Sequence, residues 1–393
     1  MQNIALPPFV DNVLSALETA GYEAYAVGGC CRDRLLGRIP QDWDVCTSAM
    51  PEDVLRVFPY SIPTGLKHGT VTVRTLGERI EVTTFRIDGA YHDHRRPDSV
   101  RFTGSLFSDL SRRDFTMNAL AMDRCGKITD YFGGEADIRA GVIRCVGDAE
   151  IRFSEDALRM FRAIRFSAQL GFELDAAIPS AMARLTSTAS LIAAERVQAE
   201  TRKALLSPRP ENLALGIELG LFDRYLCPGR PVNLSPLRDI PLDPLMRFGA
   251  FCALLRQSGR IGLSANFLSS LRCDSRTIRA VSQVLDPEPV WLRETSLAAI
   301  AAAVGRKFSP CAAAAMQVSG IDHAVENMRR LLNEDRCLAV SELDITGKEL
   351  KRLGFFGSEI GKCLLMLLRH VLVNPEDNKN ATLITLAKNS RGH

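Results

Sequence analysis

Asp42 and Asp44, separated by a single tryptophan, are the residues whose types and spacing point most directly to chemistry. On a β-strand, residues i and i+2 project from the same face, so both carboxylates would point to one place. Two adjacent carboxylates need a compensating positive charge, and Mg²⁺ supplies it while preferring carboxylates combined with substrate phosphates. The pair therefore predicts a magnesium site that activates a hydroxyl and neutralises a pyrophosphate leaving group. Without further context, the same pair also fits two solvated aspartates at the start of a strand.

Glu81 is the best candidate for a third carboxylate at this site. It lies in the segment RIEVTTFR (79–86), whose β-branched residues predict a strand. Its neighbours Ile80 and Val82 would face the opposite side of that strand. We therefore expect Glu81 to join the aspartate pair in catalysis, with the two aspartates as the metal ligands.

The glycine pair Gly28 and Gly29 ends one predicted strand and opens a short helix. Glycine allows backbone amides to approach phosphate oxygens, and the start of a helix attracts anions. Arg32 follows three residues later and could reach a triphosphate. This turn is therefore a candidate nucleotide-binding site, although an ordinary tight turn has the same signature. The chain contains neither the Rossmann pattern G-x-G-x-x-G nor a P-loop.

The segment EDALRMFRAIRF, which begins at Glu155, places acidic and basic side chains at helical spacing. In a continuous helix, Glu155 and Asp156 would share a face with Arg159, and Arg162 and Arg165 would extend that face as a basic stripe. An aspartate beside an arginine can imitate the Watson–Crick edge of a base. Such a pair fits the amino group and acceptor nitrogen of cytosine and adenine, whereas guanine and uracil present a carbonyl and a ring N–H. Ordinary surface salt bridges would have the same spacing.

The elements expected to position these residues change in character near residue 150. Before it we predict two short helices, one that ends at Gly37 and one over 48–58 with Ser48 as its cap. The polar loop 87–105 contains His92 and His94, which we interpret as loop residues rather than metal ligands. The strands predicted before residue 150 cover 24–29, 42–47, 68–75, 79–86 and 117–123.

After residue 150 the strand signals fade and amphipathic helical spacing takes over. Segments around 157–168 and 191–206 show this spacing, and proline-rich breaks separate later helices. A small head containing both strands and helices is therefore expected to precede a longer all-α region.

The composition limits the broad class of the protein. Lys and Arg number 49 and Asp and Glu number 46, a net charge of +3, so any basic surface must be local. We find no apolar run of about 18 residues and no secretory signal, and we expect no membrane partner. The eleven scattered cysteines fit reduced, buried thiols. These features predict a cytoplasmic protein.

Six ordered segments resemble the nucleotidyltransferase superfamily, in the class II branch that contains tRNA CCA-adding enzymes and poly(A) polymerases. They are GGCCRDRLLGRIPQDWDV, TGLKHGTVTV, IEVTTFR, RRPDSVRFTGSLFSDLSRRDFTMNALA, EDALRMFRAIRFSAQLGFEL and ERVQAETRKALL. The resemblance covers about residues 20–206 and favours the CCA-adding branch, and the helical remainder matches more loosely.

This resemblance implies an α+β fold, in which an elongated all-α region follows a small mixed-sheet, polymerase beta-like nucleotidyltransferase head. The implied parts are a head at 1–140, a base-reading neck at 141–206, a helical body at 207–325 and a tRNA-binding tail at 326–393. Catalysis falls to Asp42, Asp44 and Glu81, with the first two as metal ligands. The implied nucleotide-binding residues are Gly28, Gly29, Arg32, Arg113, Asp156, Arg159, Arg162 and Arg165.

The implied reaction is template-independent addition of C, C and A to the 3′ end of tRNA, with CTP, ATP and Mg²⁺. A narrower reaction stays open as an alternative, namely poly(A) addition or partial addition of CC or A. A catalytically silent RNA-binding protein is a further alternative, which the carboxylates and the Asp–Arg pair argue against. The loop 87–105 looks complete, which favours full CCA addition. Basic residues in the tail are interpreted as a tRNA-gripping surface or a solvated face: Arg329, Arg330, Lys348, Lys351, Arg352, Lys362 and Arg369.

Overall fold

The computed structural model describes residues 6–89 and 99–390, so His92 and His94 lie outside the described residues. The described strands are β1 (Ala24–Val27), β2 (Asp44–Thr47), β3 (Ile62–Gly65), β4 (Thr70–Thr75), β5 (Glu78–Thr84), β6 (Arg86–Asp88), β7 (Val100–Phe102), β8 (Leu120–Met122), β9 (Ile128–Asp130), β10 (Val142–Ile143) and β11 (Glu173–Leu174). Each segment predicted to be a strand overlaps one of them.

Seven of the described strands form one mixed sheet, in the order β3-β4-β5-β2-β1-β8-β9. β2 and β5 pair in parallel, whereas β1 pairs with β2 and β8 in the antiparallel direction. The alternating residues Val45, Ile80 and Val82 are buried, because they project from the side of the sheet that faces the core. The same alternation directs the polar residues between them to the other side.

Two compact units divide the chain. Residues 1–204 and 215–224 form the first unit, which contains the sheet, and residues 205–214 and 225–393 form the second. The first unit's helices are α1 (Pro8–Thr19), α2 (Gly29–Leu35), α3 (Pro51–Val57), α4 (Leu106–Ser111), α5 (Gly134–Ala140), α6 (Ala149–Glu155), α7 (Leu158–Leu170), α8 (Ala177–Ala189), α9 (Ala194–Leu205) and α10 (Leu213–Glu218). The sequence boundaries between the units, after residues 204 and 214, fall within α9 and α10.

The described part of the second unit is helical. Its α-helices are α11 (Pro244–Gln257), α12 (Ser264–Ser270), α13 (Ser275–Leu285), α14 (Leu297–Val304), α15 (Ser309–Val318), α16 (Ala324–Asn333), α17 (Gly347–Arg352), α18 (Ser358–Val373) and α19 (Asn380–Asn389). A mixed sheet followed by helices confirms the predicted α+β class, and the four-part division of the chain stays a prediction. Among the described residues, no helix is both long and apolar enough to cross a bilayer.

One predicted helix cap is wrong. The helix expected over 48–58 begins at Pro51, and Met50 precedes it without a side-chain cap. The Ser48 hydroxyl instead accepts a hydrogen bond from the backbone N–H of Glu23, at 2.9 Å. Ser48 therefore joins the chain segment before β1 to the end of β2, and proline supplies the preset backbone angle that starts α3.

Candidate active site

The predicted carboxylates come together where β2 begins. Trp43 is buried, whereas Asp42 and Asp44 on either side of it are exposed, as expected for residues that alternate between two faces. The parallel pairing of β2 with β5 sets Asp44 directly opposite Glu81. Partners in adjacent strands project to the same face, so Glu81 lies beside the aspartate pair as predicted.

The electrostatic environment of Asp44 reflects this crowding. The side chain reaches solvent, but burial by the surrounding protein raises its pKa, and the negative charge of Glu81 raises it further. Arg113 acts in the opposite direction and Asp42 adds a smaller upward shift. The carboxylates therefore repel one another at a place where a cation would relieve the repulsion.

Carboxylate oxygens and substrate phosphates are the ligand combination that Mg²⁺ prefers. Among residues 6–89 and 99–390, no group of three or more His, Cys, Asp and Glu side chains is arranged to hold a metal ion by itself. Asp42 and Asp44 therefore fit a magnesium ion that takes part of its coordination from a bound triphosphate rather than from protein alone.

The glycine turn lies close to a guanidinium group. Gly28 has a φ angle of +81°, which favours glycine, and a β-carbon there would lie 3.2 Å from Nη1 of Arg113. Nη2 of Arg113 contacts the buried Asp109 at 3.1 Å. Burial lowers the pKa of Arg113, but the charge of Asp109 and lesser contributions outweigh it and raise this pKa overall. The turn thus combines a backbone without side chains with a fixed positive charge.

Arg32 has a more enclosed position than the sequence indicates. It is 5% exposed, and its Nη1 donates to the Asn118 side chain at 2.7 Å while its Nε donates to Asp33 at 2.9 Å. Asn118 in turn donates to Asp114 at 3.1 Å, and Nε of Arg162 donates to the same aspartate at 2.7 Å. One hydrogen-bonded chain therefore connects α2 with α7.

Asp114, at the centre of this chain, has a strongly shifted pKa. Burial would raise that pKa, but the charge of Arg162 and hydrogen bonds from Asn118 and Arg162 outweigh burial and lower it to about 2. Asp114 and Asn118 were not among the predicted site residues, although the segment that contains them was implied by the resemblance to contact the nucleotide. Their position within SRRDFTMNALA, beside Arg113, was the available signal.

The expectation that Asp156 shares a helix face with Arg159 is wrong. The chain leaves the helix after Glu155, Asp156 adopts φ −137° and ψ 102°, and α7 begins at Leu158. Oδ1 of Asp156 accepts the backbone N–H of Leu158 at 3.1 Å, and local bonds of this kind make aspartate favour helix starts over helix interiors. Asp156 also accepts from Nη2 of Arg196 at 2.9 Å, a partner forty residues away that was not predicted.

Arg159 lies at the start of α7 and is 8% exposed. Its Nη1 donates to Glu155 at 2.6 Å and to the carbonyl of Arg152 at 3.0 Å, and its Nη2 donates to the carbonyl of Arg112 at 2.9 Å. The predicted pairing of Glu155 with Arg159 is present. Among the described residues these contacts do not include the Asp156 side chain, although the backbone N–H of Arg159 donates to the Asp156 carbonyl at 2.9 Å.

The basic stripe predicted to continue through Arg165 is largely neutralised. Arg165 is 7% exposed, and its Nε lies 2.6 Å from Oε2 of Glu200 on α9. Burial lowers the pKa of Arg165 to about 10, which the charge of Glu200 partly opposes. Arg165 therefore joins two helices within the first unit rather than offering a free positive charge.

Comparison with known proteins identifies the family. A model described as the poly A polymerase head domain matches residues 24–144, and one described as the probable RNA and SrmB-binding site of polymerase A matches residues 171–230. The CCA-adding enzyme of Limosilactobacillus fermentum is 35% identical over 387 residues, which span 95% of each chain. The chain belongs to the CCA-adding enzyme family.

Other members of the CCA-adding enzyme family match more strongly over a shorter region. The enzyme of Leuconostoc mesenteroides subsp. mesenteroides is 50% identical over 214 residues. The matched region makes up 54% of this chain and 53% of that relative, so the chain spans about half the length of that relative. The crystal structure of the Bacillus stearothermophilus CCA-adding enzyme in complex with CTP matches with a TM-score of 0.80 and 31% identity, and covers 98% of this chain and 99% of that one.

Proposed function

We propose that this chain adds C, C and A to the 3′ end of tRNA without a nucleic-acid template, using CTP and ATP and releasing pyrophosphate. The observation that carries the proposal is the strand pairing that sets Asp44 opposite Glu81. Asp42 lies two residues before Asp44, and the chain belongs to the CCA-adding enzyme family. The cytoplasm is the proposed location, because all eleven cysteines are free, as expected in a reducing compartment.

Asp42 and Asp44 would hold the Mg²⁺ that this reaction requires. When bound, the ion supplies positive charge to the attacking 3′-hydroxyl and to the phosphates. Glu81 adds negative charge beside Asp44, as its upward effect on the pKa of Asp44 indicates, and this negative charge favours the binding of a cation there.

The triphosphate would lie against the turn of Gly28 and the half-buried Gly29, where no side chain separates a ligand from the backbone. Arg113 provides the positive charge there, and Asp109 fixes its orientation by the contact of 3.1 Å. Arg32 and Arg162 belong to the hydrogen-bonded chain through Asp114, and in this proposal they hold α2 and α7 in one arrangement around the nucleotide.

Asp156 and Arg159 would read the base of the incoming nucleotide. The contacts of Arg159 within the described residues leave its Nε–H and one Nη2–H for a ligand. The contacts of Asp156 leave one acceptor position on Oδ2. In this proposal the open acceptor of Asp156 takes the amino group of cytosine or adenine, and the open donors of Arg159 take the acceptor atoms of the base.

The tRNA would bind the second unit through exposed basic side chains. Lys348, Lys351 and Arg352 are exposed on or beside the short helix α17. Lys362 and Arg369 are exposed on α18. Such side chains contact phosphates independently of sequence, as recognition of a folded RNA by its shape and backbone requires.

Incubation of tRNA that lacks its 3′ end with labelled CTP and ATP, separately and together, tests the proposal. We expect two C residues with CTP alone and a complete CCA end with both nucleotides. Incorporation of CC alone or A alone under all conditions would indicate the partial reaction. Long A tails would indicate poly(A) addition. This reaction is the second candidate, because residues 24–144 match the poly A polymerase head domain. No incorporation would contradict the proposal.

A further inference from the structure

The ring of Phe166 on α7 lies among three guanidinium groups of the first unit. Its centroid is 3.6 Å from Cζ of Arg165, 5.1 Å from Cζ of Arg32 and 5.3 Å from Cζ of Arg162. The ring is 4% exposed and packs edge-to-face against Phe115, with the two centroids 5.8 Å apart. All three distances fall within the range in which a cation is attracted to an aromatic face.

Each of these three arginines also has a carboxylate partner. The closest contacts are 2.8 Å between Arg32 and Asp33, 2.6 Å between Arg162 and Asp114, and 2.6 Å between Arg165 and Glu200. The carboxylates balance the total charge, but they come from separate elements and leave three like charges near one point. The electron-rich ring face reduces the repulsion between them, which an aliphatic side chain of similar volume would not do.

The cluster around Phe166 connects directly to the glycine turn. A β-carbon at Gly29 would lie 3.4 Å from Nη2 of Arg32, so this guanidinium packs against the turn itself. On its other side Arg32 donates to Asn118, which belongs to the chain of bonds that ends at Arg162. A shift of the ring would therefore move charged groups on both α2 and α7.

We propose that Phe166 is a positioning residue for nucleotide binding. Its π-face holds the guanidinium groups of Arg32 and Arg162 in the arrangement that receives the triphosphate between the glycine turn and α7. The inference rests on the proposed function, because it takes these two arginines to hold α2 and α7 in place around the nucleotide. Phe166 itself touches protein groups only, so its effect on the ligand passes through the arginines.

Ring fluorination separates this role from simple packing. Phenylalanines that carry one, two or three ring fluorines nearly preserve the shape of the side chain while they progressively remove electron density from the ring face. The full-length chain with each of these residues at position 166 would be tested for binding of CTP, ATP and tRNA by titration, and for its midpoint of thermal unfolding. The same series at Phe161 is the matched control, since that ring lies on the same helix and packs against Phe222 with centroids 5.2 Å apart.

We expect the Kd for CTP and ATP to rise stepwise with fluorine number, reaching roughly tenfold for three fluorines. The Kd for tRNA should stay constant, and the midpoint of thermal unfolding should fall slightly, because a weaker attraction to the ring raises the repulsion among the three guanidinium groups. The Phe161 series should leave the Kd values for CTP, ATP and tRNA unchanged. A merely structural ring would change the thermal midpoint without changing the Kd for CTP or ATP, or would change nothing at all.

A nucleotide Kd that is flat across the Phe166 series would overturn the inference, even in a chain that completes CCA ends. A stepwise rise in a chain that binds CTP but adds no nucleotide would support the inference and contradict the proposed function. The two failures are therefore distinguishable from the same set of proteins.

Discussion

Asp156 is held by contacts that leave a single open acceptor position, and this arrangement makes it sensitive to substitution. Replacement of Asp156 by alanine removes the group that would accept from the amino group of cytosine or adenine. We expect incorporation of UTP and GTP relative to CTP to increase roughly tenfold, while the Kd for the triphosphate portion changes little. Single-nucleotide incorporation with each of the four triphosphates measures this ratio.

Glu150→Ala is the matched control for Asp156→Ala. Glu150 lies on α6, one turn before the break in the helix, and forms an exposed ion pair with Arg184. Its loss should leave nucleotide choice unchanged. Equally strict rejection of UTP and GTP by Asp156→Ala and the parent would show that Asp156 does not read the base.

Asp114 couples the stability of the protein to pH at the acidic end. Its folded-state pKa of about 2 lies below the value of the unfolded chain, so its contribution to stability is complete above about pH 5 and is lost as pH falls toward 2. We expect Asp114→Asn to cost about 2 kcal/mol at neutral pH, with a smaller difference from the parent at pH 3. Thermal unfolding of both proteins from pH 7 to pH 3 checks this, and a difference that stays constant would contradict the assigned pKa.

Close packing at the start of α5 positions the segment that carries Asn118. A β-carbon on Gly134 would lie 2.2 Å from the carbonyl oxygen of Thr116, a backbone atom that cannot rotate away. We expect Gly134→Ala to destabilise the protein by about 1–3 kcal/mol and to weaken CTP binding, because the strain displaces the Asn118 segment. Thermal unfolding and CTP titration measure the two effects.

Gly104→Ala provides the control for Gly134→Ala, since a β-carbon at Gly104 would have no heavy atom within 4 Å. This change should leave both stability and CTP binding near those of the parent. Equal behaviour of the two alanine variants would indicate that the approach of α5 to Thr116 does not position the site.

The described strands and helices show how much of the fold could be predicted from one sequence. Alternating β-branched residues correctly predicted the strands that carry Asp44 and Glu81, because burial of one face leaves a period of two in the sequence. The pairing register that sets these two residues opposite each other depends on contacts distant in sequence, and the strand pattern indicated only that Glu81 faces away from Ile80 and Val82. The break between α6 and α7 was missed because i,i+4 spacing continues through Asp156, whereas a local side-chain bond to Leu158 competes with the helix.

Partners across long sequence separations were the hardest part of the site to predict. Arg196 binds Asp156 and Glu200 binds Arg165 from α9, which the sequence showed only as an amphipathic helix. Burial of Arg159 and Arg165 was likewise hidden, since arginine usually signals a surface. A charged residue at helical spacing thus indicates the helix face but not whether a partner covers it.

For the whole molecule, the proposed nucleotide chemistry belongs to the first unit and the proposed tRNA affinity to basic residues of the second. We expect the double variant Lys351→Ala, Arg352→Ala to weaken tRNA binding and to reduce its salt dependence, because fewer phosphates are neutralised. The Kd for CTP should not change. Filter binding of tRNA over a range of KCl concentrations measures both the affinity and the salt slope.

The matched control removes two other exposed arginines from the same unit, Arg276 and Arg279 on α13. That variant should retain the parent's tRNA affinity and salt slope. Equal losses in the two double variants would indicate diffuse attraction by net charge rather than a defined surface that includes α17.

In the proposed function, the carboxylates at the start of β2 catalyse the transfer of nucleotides to tRNA. The most direct test is the single-turnover rate of C addition by Asp42→Ala across a wide range of MgCl₂ concentrations. Asp53→Ala serves as the control, since Asp53 forms a surface pair with Arg56 at 2.9 Å on α3. We predict a loss of roughly a thousandfold for Asp42→Ala at every concentration and none for the control. A rate for Asp42→Ala within about tenfold of the parent, or one restored by magnesium, would contradict the claim.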